Sequence, residues 1–152
     1  MRKHTRRKVW SLVDPIAHAM EGACITDTTS LNKVRMRELA AIESFRIGRA
    51  TPDDWHALAD MLNIMETMCD QGIGPEALEA CKDAQDALKR AHERHTATGR
   101  LGLTGPALEN LREAFRFHDV QRTAIPRSDY ERAIKRTADK IKSNHPSVTV
   151  CH

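Results

Sequence analysis

His92, Glu93, Arg94 and His95 are the densest group of potential metal ligands in the chain. A zinc-protease helix needs histidines four apart with a glutamate after the first, so that both imidazoles share a face and the carboxylate can serve as base. Here the histidines are three apart and the motif fails. The pair could still hold a metal if another helix supplied His118 or His56 as third ligand, but exposed histidines near a helix end are the simpler expectation, with no metal and no cofactor. His118 and Asp119 are neighbours, and adjacent helical positions point about 100 degrees apart, so they do not form an acid and base pair. No nucleophile elbow, phosphate-cradling glycine loop or paired-cysteine finger occurs. No catalytic residue is assigned, and the chain is read as not an enzyme.

The four cysteines, Cys24, Cys69, Cys81 and Cys151, are spread singly. They read as reduced thiols, Cys69 and Cys81 as small buried hydrophobes on apolar stripes and Cys151 as exposed in a tail.

Charge is more informative. The net +3 hides a strong segregation. Residues 1–50 carry ten Lys or Arg against five acids, and residues 89–152 carry thirteen against seven. Residues 51–88 carry nine acids against Lys82 alone. Of these nine, Asp53, Asp60, Glu66, Asp70, Glu76, Glu79, Asp83 and Asp86 are the candidate partner-binding face, since complementary fields raise encounter rates and exclude wrong partners. The basic ends support a different expectation. Arg2, Lys3, Arg6, Arg7 and Lys8, with Arg132, Lys135, Arg136 and Lys140 near the other terminus, could neutralise phosphates of DNA or RNA.

The elements that must carry these residues are helices. Glycine (7) and proline (6) are scarce in 152 residues, and Ala, Leu, Met, Glu, Lys and Arg recur. Thr51, Pro52, Asp53 and Asp54 write a helix start. Trp55, Leu58, Leu62, Met65 and Cys69 follow as one apolar stripe, and Gly72 ends it. A second helix opens at Gly74, Pro75 and Glu76 and ends at Gly99, with Leu78, Cys81, Ala84, Leu88 and Ala91 on one face; the short link predicts an antiparallel hairpin. A third runs from Thr104 to the Ile125–Pro126 break with Leu108, Leu111, Phe115 and His118 on one side. A fourth follows with Ser128 and Glu131 as a capping box and Tyr130, Ala133, Ile134, Ala138 and Ile141 as its stripe. Upstream, Ser30 caps a helix reaching about Gly48, with Leu31, Val34, Leu39, Ile42 and Phe45 inward, and Pro15 to Ala23 forms a short helix. The recurrence of Gly-Pro-x-x-Leu/Glu starts at 74 and 105 is explained by capping chemistry without a repeat.

The expected architecture is all-α: a helical bundle of about five helices with short connections and a basic N-terminal arm. Residues 1–10 are the arm, 11–145 one domain, and 146–152 a flexible tail. No stretch approaches the length of a membrane span, and no apolar core follows the basic start, so a cytoplasmic protein is expected.

Arg2, Lys3, His4, Thr5, Arg6, Arg7 and Lys8, then Asp14, Pro15, Ile16 and Ala17, resemble the start of small helical proteins of unknown function carried by prophages of proteobacteria. The resemblance covers the first quarter of the chain and implies a mobile-element origin, where small proteins regulate phage genes or block host defence complexes. The leading expectation is a non-enzymatic phage or prophage binding protein that docks on a host protein or nucleoprotein complex to inhibit or regulate it. The alternative is a nucleic-acid-binding transcriptional regulator using the basic arm and last helix, for which the Ile125 to Ser128 turn is the best helix-turn-helix candidate. A metal protein built on His92 and His95 is a third class. Trp10, Ile73 and Val120, as exposed apolar residues, leave room for a homodimer.

Overall fold

A computed structural model describes residues 29–143. The expected basic arm, the helix from Pro15, Trp10, Cys24 and the tail with Cys151 lie outside the described residues. Five α-helices follow one another: α1 (Thr29–Arg46), α2 (Pro52–Asp70), α3 (Leu78–Thr98), α4 (Gly105–Thr123) and α5 (Arg127–Lys142), with a single 3-10 turn, Pro75–Ala77, before α3. There is no strand among the described residues, so the bundle expectation stands. None of the described helices is long and apolar enough to cross a membrane.

Local chemistry explains most boundaries. The Thr51 hydroxyl accepts from the Asp54 amide, and the Asp54 carboxylate accepts from the Thr51 amide at 2.9 Å, closing a capping box ahead of Pro52. The Thr104 hydroxyl caps α4 through the Ala107 amide, and Gly99 ends α3 in the left-handed region. Two expected caps are corrected. Ser30 lies inside α1, which already includes Thr29. Ser128 lies inside α5 and is buried; the helix starts at Arg127 after Pro126, and Glu131 pairs with Arg127 at 2.9 Å instead of closing a capping box.

The helix α2 is the axis of the bundle and touches all four others. Its expected single stripe is therefore too narrow. Ala57, Ala59, Met61, Asn63, Glu66, Thr67 and Met68 are buried alongside Trp55, Leu58, Leu62, Met65 and Cys69. The α2–α3 hairpin forms as expected, and Trp55 donates its indole N–H to the Leu88 carbonyl at 3.0 Å across it. α3 packs in turn on α4, and α1 packs on α2 and α4. α5 lies chiefly on α2, through Met68, Tyr130 and Ala133 and a 2.8 Å hydroxyl contact from Thr137 to Thr67.

The apolar side of α1 also differs from expectation. Ala41, Ile42 and Phe45 are buried, but Leu39 is 44% exposed and Glu38 takes the inward place one helical turn before Ile42. Ile134 and Ala138 of α5 are likewise exposed, facing a trough beside α1.

Candidate functional site

The nine acids of residues 51–88 do not form one face. Asp53 is exposed at the start of α2, and Asp54 beside it is engaged in the capping box with Thr51. Asp60 faces the other way, into the trough between α1 and α5. Asp70 meets Lys140 at 3.3 Å. Glu66 is buried, with its carboxylate accepting from Lys82 and, at 3.4 Å, from Gln85. As a partner-binding residue Glu66 is corrected: it is a carboxylate held inside the α2–α3 hairpin, and it draws Lys82, the single base of this segment, toward itself.

Four acids remain together. Glu76, Glu79, Asp83 and Asp86 are exposed and separated by steps of three, four and three along the 3-10 turn and α3. Those steps place them in one column of about 15 Å at 1.5 Å per residue. None of the four has an ion pair among the described residues. The opposite face of the same helix is anchored by buried Cys81, Ala84, Leu88 and Ala91, so the column is held on a rigid element.

The basic candidates divide. Arg2, Lys3, Arg6, Arg7 and Lys8 lie outside the described residues. Arg132, Lys135 and Arg136 border a depression of about 520 Å³ between α5 and the end of α2, but Asp129 and Asp139 border it too, and Arg132 is paired with Asp129. Lys140 is committed to Asp70. The 19-residue α4 before the Ile125–Pro126 turn, and α5 lying on α2, depart from the short paired helices of a helix-turn-helix.

The described histidines do not converge on a metal site. The rings of His56 and His92 each sit 5.2 Å from the Trp55 ring, and no group of three or more metal-binding side chains occurs among the described residues. Cys69 and Cys81 are free and buried, and burial pushes both thiols up, away from the reactive thiolate. Ile73 is half-buried, whereas Val120 is 67% exposed.

A buried polar cluster at one end of the bundle was not anticipated. The Arg122 guanidinium, with none of its side chain exposed, donates to both Glu38 oxygens at 2.7 and 3.0 Å. Its Nε donates to Asp119 at 3.0 Å, and Asp119 accepts from Arg35 at 2.6 Å. The cation also lies 5.5 Å from the Phe115 ring centre. This fork-on-fork geometry is the strongest ion-pair arrangement available to side chains, and it ties α1 to α4. Burial raises the Glu38 carboxyl above its ordinary value even against the pull of Arg122. Burial also works against the charge of Arg122, but the hydrogen bond and charge of Glu38 prevail and hold it above its ordinary value. Beside it, the buried His118 donates from Nδ1 to Gln121 at 3.0 Å, and Gln121 donates to the Ile73 carbonyl at 2.8 Å. The Nε2 of His118 has no hydrogen-bond partner among the described residues. Burial, reinforced by the charge of Arg122, lowers this imidazole to about 4.

The register of the stripes is the signal that could have found this cluster. On α4, the series Leu111, Ala114, His118, Gln121 and Arg122 keeps helical spacing while its chemistry turns from apolar to polar.

No protein-family model matches the chain, and no characterised protein or solved structure matches it either.

Proposed function

We propose that this chain is a non-catalytic binding protein, of the kind mobile genetic elements carry, that docks on a positively charged surface of a host protein or nucleoprotein complex. The observation that supports this reading is the column Glu76, Glu79, Asp83 and Asp86: four exposed carboxylates on one side of the 3-10 turn and the anchored α3, with no ion pair among the described residues. Like charges spaced this way repel one another mildly in the free protein, and a cationic partner relieves that repulsion. Such a surface holds and orients a partner without transforming it.

The direct nucleic-acid reading is weaker on the described surface, because Asp129 and Asp139 interrupt the basic side of α5 and two of its cations are already paired. Fluorescence anisotropy with a short arginine-rich peptide and with a DNA duplex separates the two. Neutralising the column (E76Q, E79Q, D83N, D86N) is expected to weaken peptide binding at least about tenfold and to leave or increase duplex binding. Peptide affinity that ignores these changes, with duplex affinity that falls steeply as salt is added, would overturn the proposal.

A further inference from the structure

Between α1 and α5, with α2 as its floor, runs a trough of about 310 Å³ that borders a second cavity of about 170 Å³. The two share Val34, Tyr130 and Ile134 in their walls, so they form one continuous surface. Its lining is largely apolar. Val34 is 36% exposed and Ile134 39%, although both stand at positions where a helix of a closed bundle would be covered. At the deep end lie the Tyr130 ring and the Glu38–Arg122 pair, which gain from the exclusion of water.

We infer that the chain's own segment Val9–Met20 occupies this trough. Ser30 and Leu31, directly after the first described residue, line the second cavity, so the preceding chain joins α1 beside it. From Met20 to Thr29 there are nine residue steps, which reach about 30 Å when extended. The whole of α1 spans about 27 Å, so that connection can fold back and lay the segment antiparallel to α1. Gly22 provides a position where the chain can turn. The segment also has the right pattern. Asp14 and Pro15 are a helix cap and first residue, Ile16 and Met20 behind them stand one turn apart, and Val9, Leu12 and Val13 add apolar side chains ahead of the cap. An apolar segment and an apolar trough that no described residue covers then complete each other.

A second copy of the chain fits less well. Two identical concave surfaces meeting about a twofold axis do not fill one another, and the most exposed apolar side chains, Met36 and Val120, lie outside the trough. Docking of Val9–Met20 also gives the basic run Arg2 to Lys8 a defined point of departure from the body.

Hydrogen exchange read by mass spectrometry on the full chain tests this. Amides of residues 9–21 are expected to exchange at least about tenfold more slowly than in an unstructured peptide, at every protein concentration. The substitution Ile134→Asp in the trough should remove that protection while α2 and α3 keep theirs, and Ile16→Asp in the segment should in turn raise exchange around Tyr130. Exchange of residues 9–21 at unstructured rates in the unaltered protein would overturn the inference. So would protection that survives both substitutions, which places the segment elsewhere, or protection lost on dilution together with a dimer in sedimentation, which assigns the trough to a second copy.

Discussion

Replacing Arg122 by methionine keeps much of the side-chain volume at a position with no exposure and removes the guanidinium that grips Glu38 at 2.7 and 3.0 Å. Three effects follow. Glu38, whose side chain is only 5% exposed, keeps a carboxylate that water cannot reach; Asp119 retains Arg35 but loses its second donor; and the cation over Phe115 disappears. Breaking one side of a buried pair costs about 3 to 5 kcal/mol, because the remaining charge is uncompensated. For a chain of this size that corresponds to a fall of roughly 10 °C in Tm. The double variant R122M with Glu38→Leu should recover most of the loss, since removing both charges removes the desolvation cost with the attraction. Urea unfolding at pH 7, followed by circular dichroism, measures all three proteins. As pH falls, the stranded Glu38, its pKa raised above the unfolded value, takes up a proton more readily in the folded state, so the deficit of R122M relative to the unaltered protein should shrink. A midpoint as little changed as that of R46M, whose exposed partner is Glu43, would refute the reasoning, as would a double variant worse than R122M.

Two other perturbations probe the same end of the bundle. His118 titrates at about 4 when folded against 6.5 when free, so its contribution is fully present above pH 6.5 and is lost as pH falls toward 4. Between pH 7 and 5 this amounts to about 2 kcal/mol of stability, and His118→Gln should flatten that part of the stability profile; an unchanged slope would show that the imidazole titrates normally. Gly74 has φ of 57°, and a Cβ there would stand 3.0 Å from the Gln121 Cγ. Gly74→Ala is therefore expected to cost about 1 to 2 kcal/mol in urea unfolding, and a stabilising effect, as the loss of unfolded-chain entropy alone would give, would contradict that geometry.

Legibility in the sequence followed the range of the interaction. Thr51 with Asp54, Thr104 and Gly99 act within one helical turn, and their residue types alone announce them. The breadth of α2 was hidden because Ala57, Ala59, Asn63 and Thr67 do not look like core, yet a central helix needs small and compact polar residues where four neighbours approach it. Glu38 and Arg122 are 84 positions apart, and a charged residue is by default read as exposed. Segment charge was legible as a total but not as a surface: the fold turns Glu66 inward, sends Asp60 to the trough, pairs Asp70 with Lys140, and leaves four carboxylates in line.

That division also separates the two surfaces physically. The column lies on α3 and the 3-10 turn that precedes it, and α3 packs on α2 and α4, whereas the trough lies among α1, α2 and α5. A partner on the column and the segment in the trough therefore need not compete for space. What joins them is α2, whose Glu66 meets Lys82 beside the column and whose Met61 and Ile64 line the trough. Its apolar residues are buried toward several helices at once, so it behaves as a stiff spacer, with the Thr67–Thr137 contact and the small apolar set around Tyr130 holding α5 to it. α5 contributes no residue to the main apolar cluster and only Tyr130 and Ala133 to the smaller one, so opening of the bundle should begin there, on the trough side, before it reaches the helix that carries the column.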